Sequence, residues 1–114
     1  MNLKQLQHEV HAWTLENFEP LDSVYSLLGV VEEVGELAHS VLKSKQGIRG
    51  TLIEHRFKQK DAIGDIVIFL LDYCNKRGFD LEEILEETWN EVKQRDWKKF
   101  KYDGVSARTS GGTA

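Results

Sequence analysis

The sequence predicts an all-α protein, a four-helix bundle, on three observations. Apolar side chains recur at three- and four-residue spacing through four successive stretches. No run shows the period-two alternation of a strand. The connections are short and carry Gly, Pro or a residue able to cap a helix. A chain of 114 residues supports one hydrophobic core rather than two. The expected domain is therefore 1–102. From Asp103 the hydrophobic pattern gives way to Gly, Ser, Thr and Ala, so 103–114 is expected to be a disordered tail without function.

The first helix is expected over Asn2–Asn17, with Leu3, Leu6, Val10, Trp13 and Leu15 on its apolar side and Pro20 beyond its end. His8 and His11 on this helix lack the spacing of a zinc-protease pair and read as ordinary surface histidines. The second helix begins at Asp22 or Ser23, either of which can cap it, and runs to about Lys43. Leu27, Val31, Val34, Leu37, Ala38, Val41 and Leu42 form its core stripe, opposite Glu32, Glu33, Glu36 and His39. Ser44–Gly50 reads as a loop. The third helix starts at Thr51 and ends in a basic turn, Lys76 and Arg77, before Gly78. Asp80 can cap a fourth helix with Leu81, Ile84, Leu85, Trp89 and Val92 toward the core.

The third helix organises the rest. Between Asp61 and Cys74 its apolar side chains cover most of the circumference, the mark of a buried helix. Asp61, Asp65 and Asp72 nonetheless share one stripe, at spacings of four and seven. Buried carboxylates require a cation, hydrogen bonds or a metal, and no Lys or Arg is expected on that stripe. More apolar surface than one small bundle needs implies a second subunit, in a homodimer or homotetramer.

Charge and composition narrow the function classes. A net charge of −4 provides no general attraction for nucleic acid polymers or an anionic membrane. The single Cys excludes an intrachain disulfide and fits a reducing compartment. Met1–Val10 has no secretory apolar region, and the longest apolar run, Ile66–Leu71, is too short to span a bilayer. The expected location is cytoplasmic. There is no phosphate-binding glycine loop and no activated nucleophile beside Cys74.

Glu32-Glu-Val-Gly-Glu36 sets three carboxylates within about 100° on one side of the second helix. One reading is a solvated acidic face. The other is that acids from two neighbouring helices face each other and form an oxygen cage suited to Mg²⁺ or Mn²⁺. Gly35 and Gly64 are candidates for letting the two backbones approach. Glu36-Leu-Ala-His39 matches half of a di-iron bundle motif, but the sequence holds no second copy.

Glu32-Glu-Val-Gly-Glu36, followed by Gly64-Asp65 inside an apolar helix, resembles the MazG-like nucleotide pyrophosphohydrolases of the all-α NTP pyrophosphatase superfamily, to which the dimeric dUTPases are related. The resemblance runs from about Leu6 to Trp97 and includes the Trp89–Trp97 run. It implies a Mg²⁺-dependent hydrolase, for which Mn²⁺ can substitute. The implied reaction cleaves a nucleoside triphosphate, ribo or deoxy, to the monophosphate and pyrophosphate, with house-cleaning as one implied use. Glu33, Glu36 and Asp65 correspond to metal ligands, and Glu32 to a further ligand or the holder of the attacking water. The family pattern is Glu-x-x-Asp, yet the residue three before Asp65 is Ala62. Asp61, one position earlier, either replaces that glutamate at the metal or is only a helix acid. Lys93, Arg95 and Asn90 correspond to phosphate-binding positions or form a solvated helix end. Trp13 and Phe18 correspond to aromatics that bracket the base, or are core. Two other classes stay open: a non-catalytic nucleotide- or protein-binding bundle of the same fold, and an unrelated adaptor bundle.

Overall fold

The computed structural model describes residues 1–105. Among these, the chain forms α1 (Leu3–Asn17), α2 (Ser23–Gln46), α3 (Leu52–Arg77) and α4 (Leu81–Val92), with no strand. The contacts divide it into two compact units, Met1–Leu81 and Glu82–Ala114. No helix among the described residues is long and apolar enough to cross a membrane.

Local chemistry sets the helix ends. The Asn2 side chain accepts from the Gln5 N–H at 2.7 Å, so Asn2 caps α1 rather than joining it. Asp22 caps α2 by accepting from the Val24 N–H at 2.9 Å. That helix continues three residues past Lys43, because Ser44, Lys45 and Gln46 all tolerate helix and Gly47 is the first residue to leave it, at φ 70°. The expected loop is correspondingly shorter. Thr51 and Glu54 form a reciprocal capping box at the start of α3, with bonds of 3.1 and 3.3 Å. Gly78, at φ 70°, ends α3 after Lys76 and Arg77.

The first unit rests on two contacts. In one, α1 lies on α3 over a small apolar core: Val10, Leu71, Cys74 and Leu81 are buried, with Leu3, Leu6, Val67 and Leu70 against them. Gln7 crosses the edge of this core. Its amide donates to Asn75 Oδ1 at 3.0 Å and the Phe79 carbonyl at 2.8 Å, and accepts from the Leu81 N–H at 3.0 Å.

In the other, α2 and α3 run antiparallel along their lengths, and the face of α2 turned to α3 is not the one its hydrophobicity predicts. Ser26 bonds to Asp72, Gly29 lies against the Phe69 ring, Glu33 feels the charge of Asp65, and Ser40 donates to the His55 carbonyl at 3.0 Å. Ser26 and Ser40 are the buried residues of α2. Leu27, Leu28, Val31, Val34, Val41 and Leu42 are exposed instead, Val31 at 61%. The physical reason is size. A Cβ at position 29 would sit 2.6 Å from the Phe69 ring, so the contact face needs small residues. Gly35 and Gly64 meet nothing within 4 Å and do not serve the approach expected of them. The α3 helix is likewise not buried all round, since Ile63, Ile68 and Phe69 are exposed.

In the second unit, Ile84, Leu85, Trp89 and Val92 of α4 are exposed rather than core. After α4 the chain makes a turn in which Asp96 Oδ1 accepts from the Lys98 and Lys99 N–H groups. The Asp96 N–H donates to the Gly104 carbonyl at 2.6 Å. Of the expected tail, Asp103–Val105 belong to this turn, and 106–114 lie outside the described residues.

Gln7→Ala should lower stability by about 2–4 kcal/mol, because it strips partners from the Phe79 carbonyl and the Leu81 N–H. Chemical denaturation of the variant checks this. A loss below about 0.5 kcal/mol would show that the Gln7 bonds are replaceable by water.

Candidate functional site

The polar face between α2 and α3 gathers the predicted acids. One carboxylate oxygen each from Glu32, Glu33 and Glu36 lies within 4.8 Å of the others. The spacing follows from one helical turn, since residues three and four apart share a face. Glu33 is the half-buried member and Glu32 and Glu36 are exposed. Its carboxyl is held above the usual range, first by partial burial and then by the charges of Glu36, Asp65, Glu32 and Asp61. The structure thus brings both acid clusters into electrostatic reach of one carboxyl. His39 is exposed and outside the three-carboxylate group.

Register explains the departure at position 62. With Asp72 opposite Ser26 and Phe69 opposite Gly29, residue 62 falls level with Glu36. Ala62 is only 3% exposed, and its methyl offers no oxygen. Asp61 is exposed, and its charge reaches Glu33.

Beside Asp65 opens a cavity of about 410 Å³. Its walls are largely apolar, with Trp13 and Phe18 from the α1 end, Tyr25 from α2, and Ile68 and Phe69 from α3. Trp13 and Phe18 are not core. They are 52% and 54% exposed and meet edge to face at 5.5 Å between ring centroids. His11, read from the sequence as an ordinary surface residue, also lines the cavity.

At the wall is a polar group that sequence reasoning missed. Ser26 donates to Asp72 Oδ2 at 2.5 Å, Lys76 pairs with the same oxygen at 2.8 Å, and Lys76 donates to Ser26 Oγ at 3.1 Å. Asp72 therefore does have a cation on its own helix stripe, four residues on, where none was expected. The Asp72-x-x-x-Lys76 spacing was the available signal. Among the described residues, Asp65 and Asp61 form no ion pair of this kind.

Asn90 lies on α4, Lys93 just beyond it and Arg95 in the following turn, all exposed and within the second unit. The phosphate role assigned to them rests on the sequence resemblance alone. The Cys74 thiol is pushed up by burial, then by Asp80, the opposite of what activates a thiol.

No protein-family model matches the sequence, and no curated protein matches it. Among solved structures, the crystal structure of iMazG from Vibrio DAT 722 is similar, with 28% identity and a TM-score of 0.57. The match covers 82% of this chain and 97% of that one. The chain has a MazG-like all-α fold. The carboxylates of the MazG-like chain, three of them mutually close and a fourth acid opposite, are a donor set that fits a hard divalent cation.

Because burial, and then the neighbouring acids, raise the Glu33 carboxyl, its ionisation is less favourable folded than unfolded. The penalty is present at neutral pH and is relieved as pH falls through the folded value toward the ordinary carboxyl value of 4.5. Glu33→Gln should therefore raise the metal-free melting temperature at pH 7 and lose that advantage near pH 4. An equal effect at both pH values would assign it to packing instead.

Proposed function

We propose that the protein is a Mg²⁺-dependent nucleoside triphosphate pyrophosphohydrolase, which converts a ribo- or deoxynucleoside triphosphate and water to the monophosphate and pyrophosphate. The observation that carries this reading is the junction at Asp65, where an uncompensated carboxylate cluster meets an aromatic-walled cavity. An acidic site accepts a triphosphate only with divalent cations between them. The similarity to iMazG supports the same reading.

Glu33, Glu36 and Asp65 would hold the cation, with Mn²⁺ able to replace Mg²⁺, and Asp61 would add a carboxylate where Ala62 cannot. Bound there, the cation would supply charge neutralisation for the triphosphate and polarisation of the phosphorus under attack. Glu32 either joins the ligands or accepts a hydrogen bond from the attacking water. Trp13 and Phe18 flank the base and exclude water from its faces. Chemistry of this kind depends on positioning and charge neutralisation, so no side-chain nucleophile is required.

The exposed apolar stripe of α2, with Ile63 and Ile68 of α3, supports assembly as a homodimer or homotetramer. Sedimentation equilibrium at micromolar concentration should return at least twice the 13.1 kDa chain mass. A monomer at that concentration would remove the second subunit from the account.

Activity should require Mg²⁺ or Mn²⁺, stop in EDTA, and fall by at least about a hundredfold in Glu36→Gln while the circular dichroism spectrum is kept. Full activity of that variant, or activity in EDTA, would defeat the assignment.

One observation favours a second reading, a non-catalytic member of the same fold: the buried Ala62 in place of the expected glutamate. A Mg²⁺ titration separates the two. If Asp61 serves the site, Asp61→Asn shifts the half-maximal Mg²⁺ concentration upward. A silent protein that gains activity on Ala62→Glu supports the non-catalytic reading.

A further inference from the structure

We propose that the Ser26–Asp72–Lys76 group selects the nucleobase, and that it favours bases with a lactam edge, in which a ring N–H adjoins a carbonyl. Guanine, uracil and thymine have that edge; adenine and cytosine do not. The inference rests on the nucleotide reading of the neighbouring acid site.

Position is the first argument. Asp65, Phe69, Asp72 and Lys76 follow one face of α3, and all four line the cavity. Asp72 lies seven residues beyond Asp65, roughly 10 Å along the axis, about the length of one nucleoside. A nucleotide whose phosphates sit by Asp65 and whose base lies among Trp13, Phe18 and Phe69 would bring its polar edge to Asp72 and Lys76.

Chemistry is the second. Asp72 Oδ2 is occupied by Ser26 and Lys76, which fixes the carboxylate and leaves Oδ1 without a partner among the described residues. Lys76 spends two donors on Asp72 and Ser26 and keeps a third. The side chains of Asp72 and Lys76 are only 15% and 20% exposed, so what they offer the cavity is a held acceptor beside a held donor. An ionised acceptor pairs best with an acidic N–H, and an ammonium with a carbonyl oxygen. A lactam presents that pair in adjacent positions. In adenine and cytosine the donor is a less acidic amine and the acceptor a ring nitrogen. A base that left the half-buried pair unmatched would also bear the cost of its desolvation.

The test measures binding of the monophosphates GMP, UMP, AMP and CMP, and of their 2′-deoxy forms, by calorimetry in EDTA. Any repulsion between phosphate and the acid cluster then applies to all bases alike. The wild-type protein should prefer GMP and UMP over AMP and CMP by about tenfold or more. Asp72→Asn should erase that preference, and so should Lys76→Gln, which leaves the Ser26–Asp72 bond in place. Affinity ratios do not depend on the fraction of protein folded, so a partly unfolded variant still reports. Preference for AMP or CMP, a preference unchanged by both variants, an equal loss for every base, or no binding at all would each overturn the proposal. A parallel hydrolysis assay with Mg²⁺ keeps the two claims apart. Base-selective binding without hydrolysis would sink the hydrolase reading alone, and hydrolysis without base preference would sink this one alone.

Discussion

The structure depends on a polar seam between α2 and α3. Two long helices are usually joined by their apolar stripes, but here the contact is made by Ser26, Gly29 and Ser40 against Asp72, Phe69 and His55, with Glu33 in reach of the Asp65 charge. Small side chains permit the approach, and hydrogen bonds fix the register at both ends. Near one end the charge of Asp72 is matched by Lys76. Toward the middle, Glu33 and its neighbours are not matched, which raises the Glu33 carboxyl. Such repulsion weakens the metal-free fold and is the feature a divalent cation would relieve. A site of this kind gives up stability for charge placement, and the short apolar core of α1 on α3 must offset it.

The same seam accounts for the exposed surface. Once α2 turns its small and acidic residues to α3, its leucines and valines face outward. Their outward position therefore follows from the site rather than standing apart from it. The cavity has a related origin. Its Asp65 wall belongs to the seam, while its aromatic wall combines Trp13 and Phe18 at the end of α1 with Tyr25 of α2 and Phe69 of α3.

Much of this was legible in the sequence. The four helices, the Thr51 cap and the Gly78 stop follow from local chemistry, and local chemistry is not overruled by packing here. The proximity of Glu32, Glu33 and Glu36 also follows from helical spacing alone. Packing faces were another matter. Hydrophobic periodicity says which side of α2 avoids water, not which element covers it, and it read as core a stripe that is exposed on this chain. Gly35 and Gly64 were indistinguishable from Gly29 without knowledge of the register. Trp13 and Phe18 carry a core composition, yet they line a cavity. The Lys76 partner of Asp72 was visible at spacing four but was hidden by reading Lys76 only as a basic helix end.

The central claim is that the acids at this seam serve cleavage of a nucleotide between its α- and β-phosphates. Its most direct test is to incubate the protein with nucleoside triphosphates and Mg²⁺ in ¹⁸O-labelled water and separate the products. The account predicts monophosphate and pyrophosphate, with no labelled orthophosphate. Diphosphate with labelled orthophosphate would contradict it.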